Sequence, residues 1–195
     1  MSRTATIRRT TGETDVEVRI DLDGTGVAEA VTGIGFFDHM LILLARHSLI
    51  DISVVAKGDL ETGSHHTVED TGITLGRALD EALGDRSGVE RYGSALVPMD
   101  EVLVQVAIDL SGRPYLAFDV SLPPMVIGGF ETDLTGEFLR GVTNAGRMTM
   151  HVDLLKAGGP HHVIEGCFKG VARALGAAVA PNPRVRGVPS SKGAL

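Results

Sequence analysis

A single cysteine in 195 residues leaves no partner for an intrachain disulfide and no set of thiolates for a zinc centre, so Cys167 reads as a packed helix residue. Tryptophan is absent, and only two tyrosines and six phenylalanines are present. A chain this poor in large rings and carrying 25 glycines packs its elements closely through small side chains, and is a candidate to complete its core by assembling with copies of itself. No apolar run approaches the length needed to cross a bilayer, and the opening stretch from Met1 to Thr11 is polar with no apolar core of a leader. The expectation is a soluble, cytoplasmic protein with no membrane partner. Charge of one sign is also scarce: the net charge is −7 and no basic run is dense enough to track a phosphate backbone, which removes nucleic acid from the expected partners.

What the chain does have is histidine in pairs. His65-His66-Thr67-Val68-Glu69-Asp70 occurs again, nearly intact, as His161-His162-Val163-Ile164-Glu165-Gly166. Each copy follows a loop with Gly or Pro and leads into an apolar-periodic run, so each should open a helix. Residues at i and i+4 share a helix face, which joins His65 with Glu69 and His161 with Glu165. His66 and His162 are turned by about 100° from their neighbours and can serve a different ion. One His-His pair alone reads as chance or as a polar helix start. Two copies with the same glutamate offset read as two metal sites, and imidazole with carboxylate and no thiolate favours Mn, Fe, Co, Ni or Zn.

The repetition extends further. Glu13 to Gly24 aligns with Glu101 to Gly112 with seven identical positions, and Arg77-Ala78-Leu79 returns as Arg173-Ala174-Leu175. Alternation predicts strands over Thr4–Thr10 and Asp15–Leu22, a turn at Asp23–Gly26 and an extra strand near Val27–Val31. A helix over Phe36–Arg46, a strand over Asp51–Ala56 and a helix over His65–Leu83, stopped by Gly84, complete the first half. In the second half, strands over Val102–Leu110 and Tyr115–Val120 precede a helix over Thr132–Asn144. A strand over Met148–Leu154 and a helix over His161–Val179 follow. The fold class is α+β: two duplicated ββαβα units with helices packed between two sheets. Residues 1–94 form the first unit and 95–180 the second, with a join near Tyr92–Val97; residues 181–195 form an irregular basic tail of the kind usually disordered. All belong to one compact domain.

His39, after Gly33-Ile34-Gly35, and His151, on a predicted strand, are the remaining candidate ligands. A lone histidine in an apolar setting is more often a satisfied core residue, but each His-Glu pair with one borrowed histidine still lacks donors. His39 and His151 can supply one more each. His47 reads instead as a partner for the C-terminal dipole of the first helix. The same clusters also suit a metal-storage or metal-sensing protein, or a hydrolase whose ions activate water.

Four stretches, Thr32 to Leu41, His65 to Asp70, Leu110 to Tyr115 and Pro189 to Gly193, closely resemble the imidazoleglycerol-phosphate dehydratase family, and the likeness runs along essentially the whole chain. The resemblance implies a ribosomal protein S5 domain 2-like fold. It implies a lyase of histidine biosynthesis that converts D-erythro-imidazole glycerol phosphate to imidazole acetol phosphate and water, through a metal-stabilised imidazolate and a diazafulvene. It implies two Mn2+ per active site on His39, His65, His66, Glu69, His151, His161, His162 and Glu165. Catalytic roles fall on Glu13, which would shuttle the proton and touch substrate, and on His66 and His162. The substrate phosphate would be held by Arg91, Arg113, Ser190, Ser191 and Lys192, with the tail ordered by the ligand or by a neighbouring subunit. Glu101, the repeat partner of Glu13, is a structural echo of it. A homo-oligomer of about 24 subunits in cubic symmetry, with sites between protomers, is implied too. Against the family pattern, Ser64 and Pro160 replace an acidic or amide residue before each His-His pair, so a hydrogen bond from that position is altered or lost. The Lys156–Pro160 loop is shortened and should close differently.

Overall fold

The computed structural model describes residues 2–193 and 195. Strands β1 (Thr4–Thr10), β2 (Thr14–Asp21) and β3 (Ala28–Val31) are followed by helix α1 (Gly35–Ser48), strand β4 (Asp51–Gly58), a 3-10 turn (Leu60–Thr62) and helix α2 (His65–Leu83). Then come β5 (Tyr92–Met99), β6 (Val102–Asp109), β7 (Tyr115–Asp119), the short pair β8 (Val126–Ile127) and β9 (Phe130–Glu131), α3 (Leu134–Ala145), β10 (Thr149–Lys156) and α4 (Pro160–Val179).

Period-two burial builds the sheets. Val16, Val18 and Ile20 point inward from β2, and Val102, Val104, Val106 and Ile108 point inward from β6. The two sheets have matching order, β1-β2-β4-β3 and β5-β6-β10-β7. In each, the first three strands pair antiparallel while the last runs parallel to its neighbour. Helix α2 packs on the first sheet and α4 on the second, and the pairs α1–α4 and α2–α3 meet between them. The expected α+β sandwich of helices between two sheets is thus the observed fold.

Four of the phenylalanines fill its centre. Phe37 stacks on Phe130 at 5.7 Å and meets Phe138 edge-on at 5.2 Å, and Phe138 stacks on Phe168 at 5.3 Å, which links α1, α3, α4 and β9. Elsewhere small residues carry the packing: a Cβ on Gly72 would lie 2.5 Å from the Phe138 carbonyl, and one on Gly176 2.5 Å from that of Ser48.

Two features depart from the sequence reading. The strand expected near Val27–Val31 is β3, but the second half contains strands not expected: β5, which occupies the stretch taken as the join and spans the 94/95 boundary, and the short pair β8 and β9. The tail is also not a free segment. Gly88 N–H donates to the Gly187 carbonyl, Asn182 N–H to the Gly88 carbonyl and Glu90 N–H to the Ala180 carbonyl, so the chain's own residues 88–91 hold it. Among the described residues no helix is long and apolar enough to cross a membrane.

Candidate active site

The first histidine pair opens α2. His65 Nε2 lies 3.6 Å from the Glu69 carboxylate one turn on. His66 turns the other way, with Nδ1 3.1 Å from both carboxylate oxygens of Asp59 and Nε2 3.8 Å from the Glu13 carboxylate. The Asp59 hydrogen bond raises the His66 pKa, and the same bond lowers that of Asp59. Asp70, buried on the next turn of helix, accepts from the Thr14 hydroxyl and pairs with Arg9. That clamp ties α2 to the strand beside Glu13. The Ser64 hydroxyl donates to the Glu131 carboxylate, so it ties the start of α2 to β9 and leaves the imidazoles to other partners.

The second pair opens α4, where Pro160 takes the first turn, a place with no N–H to lose. His161 Nε2 is 3.3 Å from Glu165, and His39 Nε2, from the start of α1, is 3.9 Å from the same oxygen. Phe36 meets the His161 ring edge-on at 5.0 Å. Burial pushes the Glu165 carboxyl up, but Lys169, bonded to it at 2.6 Å, together with His39 and His161, outweighs burial and the net shift is downward. His162 Nδ1 lies 3.0 and 3.2 Å from the two Glu101 oxygens. Glu101 also accepts from Gly159 N–H at 2.8 Å. That backbone bond first, and His162 after it, hold Glu101 at about 2, while Glu101 raises the His162 pKa.

The remaining residues gather at a third place. Arg91, Arg113, Ser190, Ser191 and Lys192 line one cavity of about 360 Å³, together with Tyr92 and Leu195. Arg91 is already engaged: it grips Asp109 through Nε and Nη2 at 2.7 and 3.1 Å and donates from Nη1 to the Pro189 carbonyl at 2.8 Å. It therefore seats the tail as well as facing the cavity. His151 lies exposed on β10, its ring 5.7 Å from that of Tyr115.

Within one chain the predicted ligand and acid–base residues thus form three groups: His65, His66, Glu69 and Glu13; His39, His161, His162 and Glu165; and His151 by itself beside Tyr115. No histidine–carboxylate pair within 4.0 Å joins one group to another among the described residues. The donor set suits a divalent ion, since the i and i+4 imidazole and carboxylate of both helices already face each other and no thiolate competes. Three contributors, Asp59, Lys169 and Glu131, escaped the sequence reading, and Glu101, read there only as the echo of Glu13, contacts His162. Asp59 and Lys169 lie within one loop and one turn of the motifs, a signal open to inspection, whereas the bonds of Glu101 and Glu131 cross 61 and 67 residues. His47 sits in the last turn of α1, where partial burial, then Lys169 and Arg173, pull its pKa down.

Fold and site together define a duplicated α+β chain with twin His/Glu clusters of divalent-ion chemistry and a separate cation-lined cavity. The model of the imidazoleglycerol-phosphate dehydratase family matches residues 32–175. The chain is 56% identical over 194 residues to the imidazoleglycerol-phosphate dehydratase of Rhodopseudomonas palustris, covering 99% of this chain and 98% of the relative. It is 53% identical to that of Moorella thermoacetica over the full length of both. Among solved structures, imidazoleglycerol-phosphate dehydratase from Staphylococcus aureus superposes with a TM-score of 0.83 at 40% identity, covering 92% of this chain and 99% of that one. The Pyrococcus furiosus structure, in complex with (S)-C348, gives 0.83 at 39%, covering 97% and 100%. The chain belongs to the imidazoleglycerol-phosphate dehydratase family, hydro-lyases of histidine biosynthesis.

Proposed function

We propose that the chain dehydrates D-erythro-imidazole glycerol phosphate to imidazole acetol phosphate and water, with two Mn2+ per active site. The observation that carries this reading is that the chain offers separate grips for the two ends of such a substrate: paired His/Glu clusters for an azole and a cavity of arginine, lysine and serine for a phosphate. His39, His65, His66, Glu69, His151, His161, His162 and Glu165 are the residues that would hold the ions. Bound divalent ions supply Lewis-acid neutralisation of charge on the ring nitrogens and orient the ring.

The chain's own groups do the rest. Arg113, Lys192, Ser190 and Ser191 bind the phosphate, with the guanidinium and ammonium supplying charge and the hydroxyls supplying directed hydrogen bonds. The ring gives up its N–H proton and then expels the neighbouring hydroxyl, which leaves as water by taking up a proton, to give a diazafulvene. Glu13, on the Nε2 side of His66, then removes the carbon-bound proton as general base; His66 and His162, whose Nε2 lone pairs would go to the ions, serve the reaction by holding them in place. The enol so formed becomes the ketone of the product. Because the three groups are apart in one chain, the reading includes a homo-oligomer, expected at about 24 subunits with sites between protomers. A biosynthetic reaction on a phosphorylated small molecule also fits a cytoplasmic enzyme with neither nucleic acid nor membrane as partner.

The test is to add imidazole glycerol phosphate and Mn2+ to purified protein and follow the acetol product by ultraviolet absorbance. Product formation that stops on chelation is expected. Fully metallated protein that yields no product would reject the reading.

A further inference from the structure

The duplication places Glu13 and Glu101 at equivalent positions at the head of β2 and β6, yet the two carboxylates have different neighbours. Glu101 closes on Nδ1 of His162 with both oxygens, at 3.0 and 3.2 Å, and also takes the Gly159 N–H. Glu13 does neither. In the first half Nδ1 of His66 is taken by Asp59, at 3.1 Å from each oxygen, and Glu13 is left on the Nε2 side at 3.8 Å with its side chain 57% exposed.

The linking loops account for the difference. Past the register shift between Leu154 and Lys156, Lys57 opposite Asp15 matches Lys156 opposite Leu103, so Asp59 corresponds to Gly158. The second loop, Gly158-Gly159-Pro160, is three residues shorter than Asp59 to Ser64 and has no acidic side chain. Its glycines make room for Glu101 instead: a Cβ on Gly158 would stand 2.3 Å from Glu101 Oε1 and 2.5 Å from its Cγ. Asp100, the other acidic group near His162, sits in the open hairpin turn with its carboxylate 4.0 Å from Nε2 and 75% exposed.

A carboxylate on Nδ1 makes that nitrogen the N–H donor, fixes the ring's rotation and leaves the Nε2 lone pair for a metal. We propose that Asp59 and Glu101 are the positioning residues for His66 and His162, supplied by different elements in the two halves. The acidic loop of the first half has released Glu13 from the bracing duty that Glu101 still performs, and this makes the two otherwise equivalent halves chemically unequal. The inference rests on the metal reading given above.

The experiment measures Mn2+ affinity directly, from the electron paramagnetic resonance signal of unbound Mn2+, in the intact assembly without substrate. Glu101→Ala and Asp59→Ala should each weaken Mn2+ binding by roughly 10- to 100-fold, as loss of a partner to a metal-binding imidazole does. Glu101→Gln and Asp59→Asn keep an acceptor and should lose less. Gly158→Ala, which displaces Glu101 without removing it, should weaken binding in the same direction and stands in if Glu101→Ala does not fold. Glu13→Gln should leave affinity unchanged. Wild-type affinity in Asp59→Ala and Gly158→Ala, or an equal loss in Glu13→Gln, overturns the division of labour while leaving the metal reading intact. Wild-type protein that takes up no Mn2+ overturns both.

Discussion

Glu13 is the residue whose setting most resembles that of a working acid or base: it is open to solvent, and among the described residues its one ion-pair contact is an imidazole nitrogen 3.8 Å away. Glu13→Gln keeps the shape and removes the proton acceptor, so metal content and substrate binding should persist while turnover falls by roughly 10²- to 10⁴-fold. A near-normal kcat would move the proton shuttle to another residue. Lys192 lines the cation-rich cavity, where on the proposed reading it would contribute charge to ground state and transition state alike. Lys192→Ala should therefore raise KM more than it lowers kcat, and an unchanged KM in steady-state kinetics would refute its phosphate role. Cys167 has no such function: burial alone pushes its thiol up to about 12, so iodoacetamide should fail to label the native protein and label it fully in denaturant.

Contacts between elements depend on what is missing from side chains. Helices α2 and α3 approach so closely that Gly72 and Gly76 would each place a Cβ within 2.6 Å of an α3 carbonyl oxygen. Alanine at position 72 would gain about 1 kcal/mol in helix propensity. Backbone displacement at the contact costs about 1–3 kcal/mol, so the net expectation for Gly72→Ala is a lower denaturation midpoint. The loop before α4 has its own dependence on acid. Glu101 titrates at about 2 in the fold against an ordinary 4.5, so the unfolded chain takes up the proton first and the stabilisation present above pH 4.5 is lost as pH falls toward 2. Glu101→Gln should thus be less stable than wild type at pH 6, with the gap in melting temperature closing through that acid window. Elements with a strict period, such as β2, β6 and the two histidine-headed helices, were legible in the sequence because one face of each is uniformly apolar. Strand β5 was not, since Gly93 meets the Ala174 carbonyl of α4 where a side chain would stand and Pro98 removes a ladder donor, a pattern tolerated only at a sheet edge. In the site, the i and i+4 pairs could be read directly. The Nδ1 partners could not, because they depend on how a loop and a hairpin come to rest against the helix ends.

At the scale of the molecule, the decisive fact is that one chain gathers its candidate ligands in three separate groups. Among the described residues His65 and Glu69 have no third donor gathered with them, His39 has joined the other helix at Glu165, and His151 is exposed beside Tyr115. A metal of octahedral habit needs more than two protein donors to compete with water, and a substrate gripped at both ends needs the cavity beside the ions. Closing those distances within one chain would tear β10 from its partners β6 and β7, to which it is paired along its length. Bringing in a second copy costs no such disruption. The consequence is a complementation experiment with two variants each expected to be inactive, His65→Ala and His151→Ala. If the two histidines reach a shared site from different copies, a co-expressed mixture will contain some sites built from the intact His65 of one subunit and the intact His151 of another. Activity in the mixed assembly, separated by two affinity tags and absent from either parent, is the expected result. Mixed assemblies that form and stay inactive would show that each site draws both histidines from a single chain, which the present arrangement could supply only by unpairing β10.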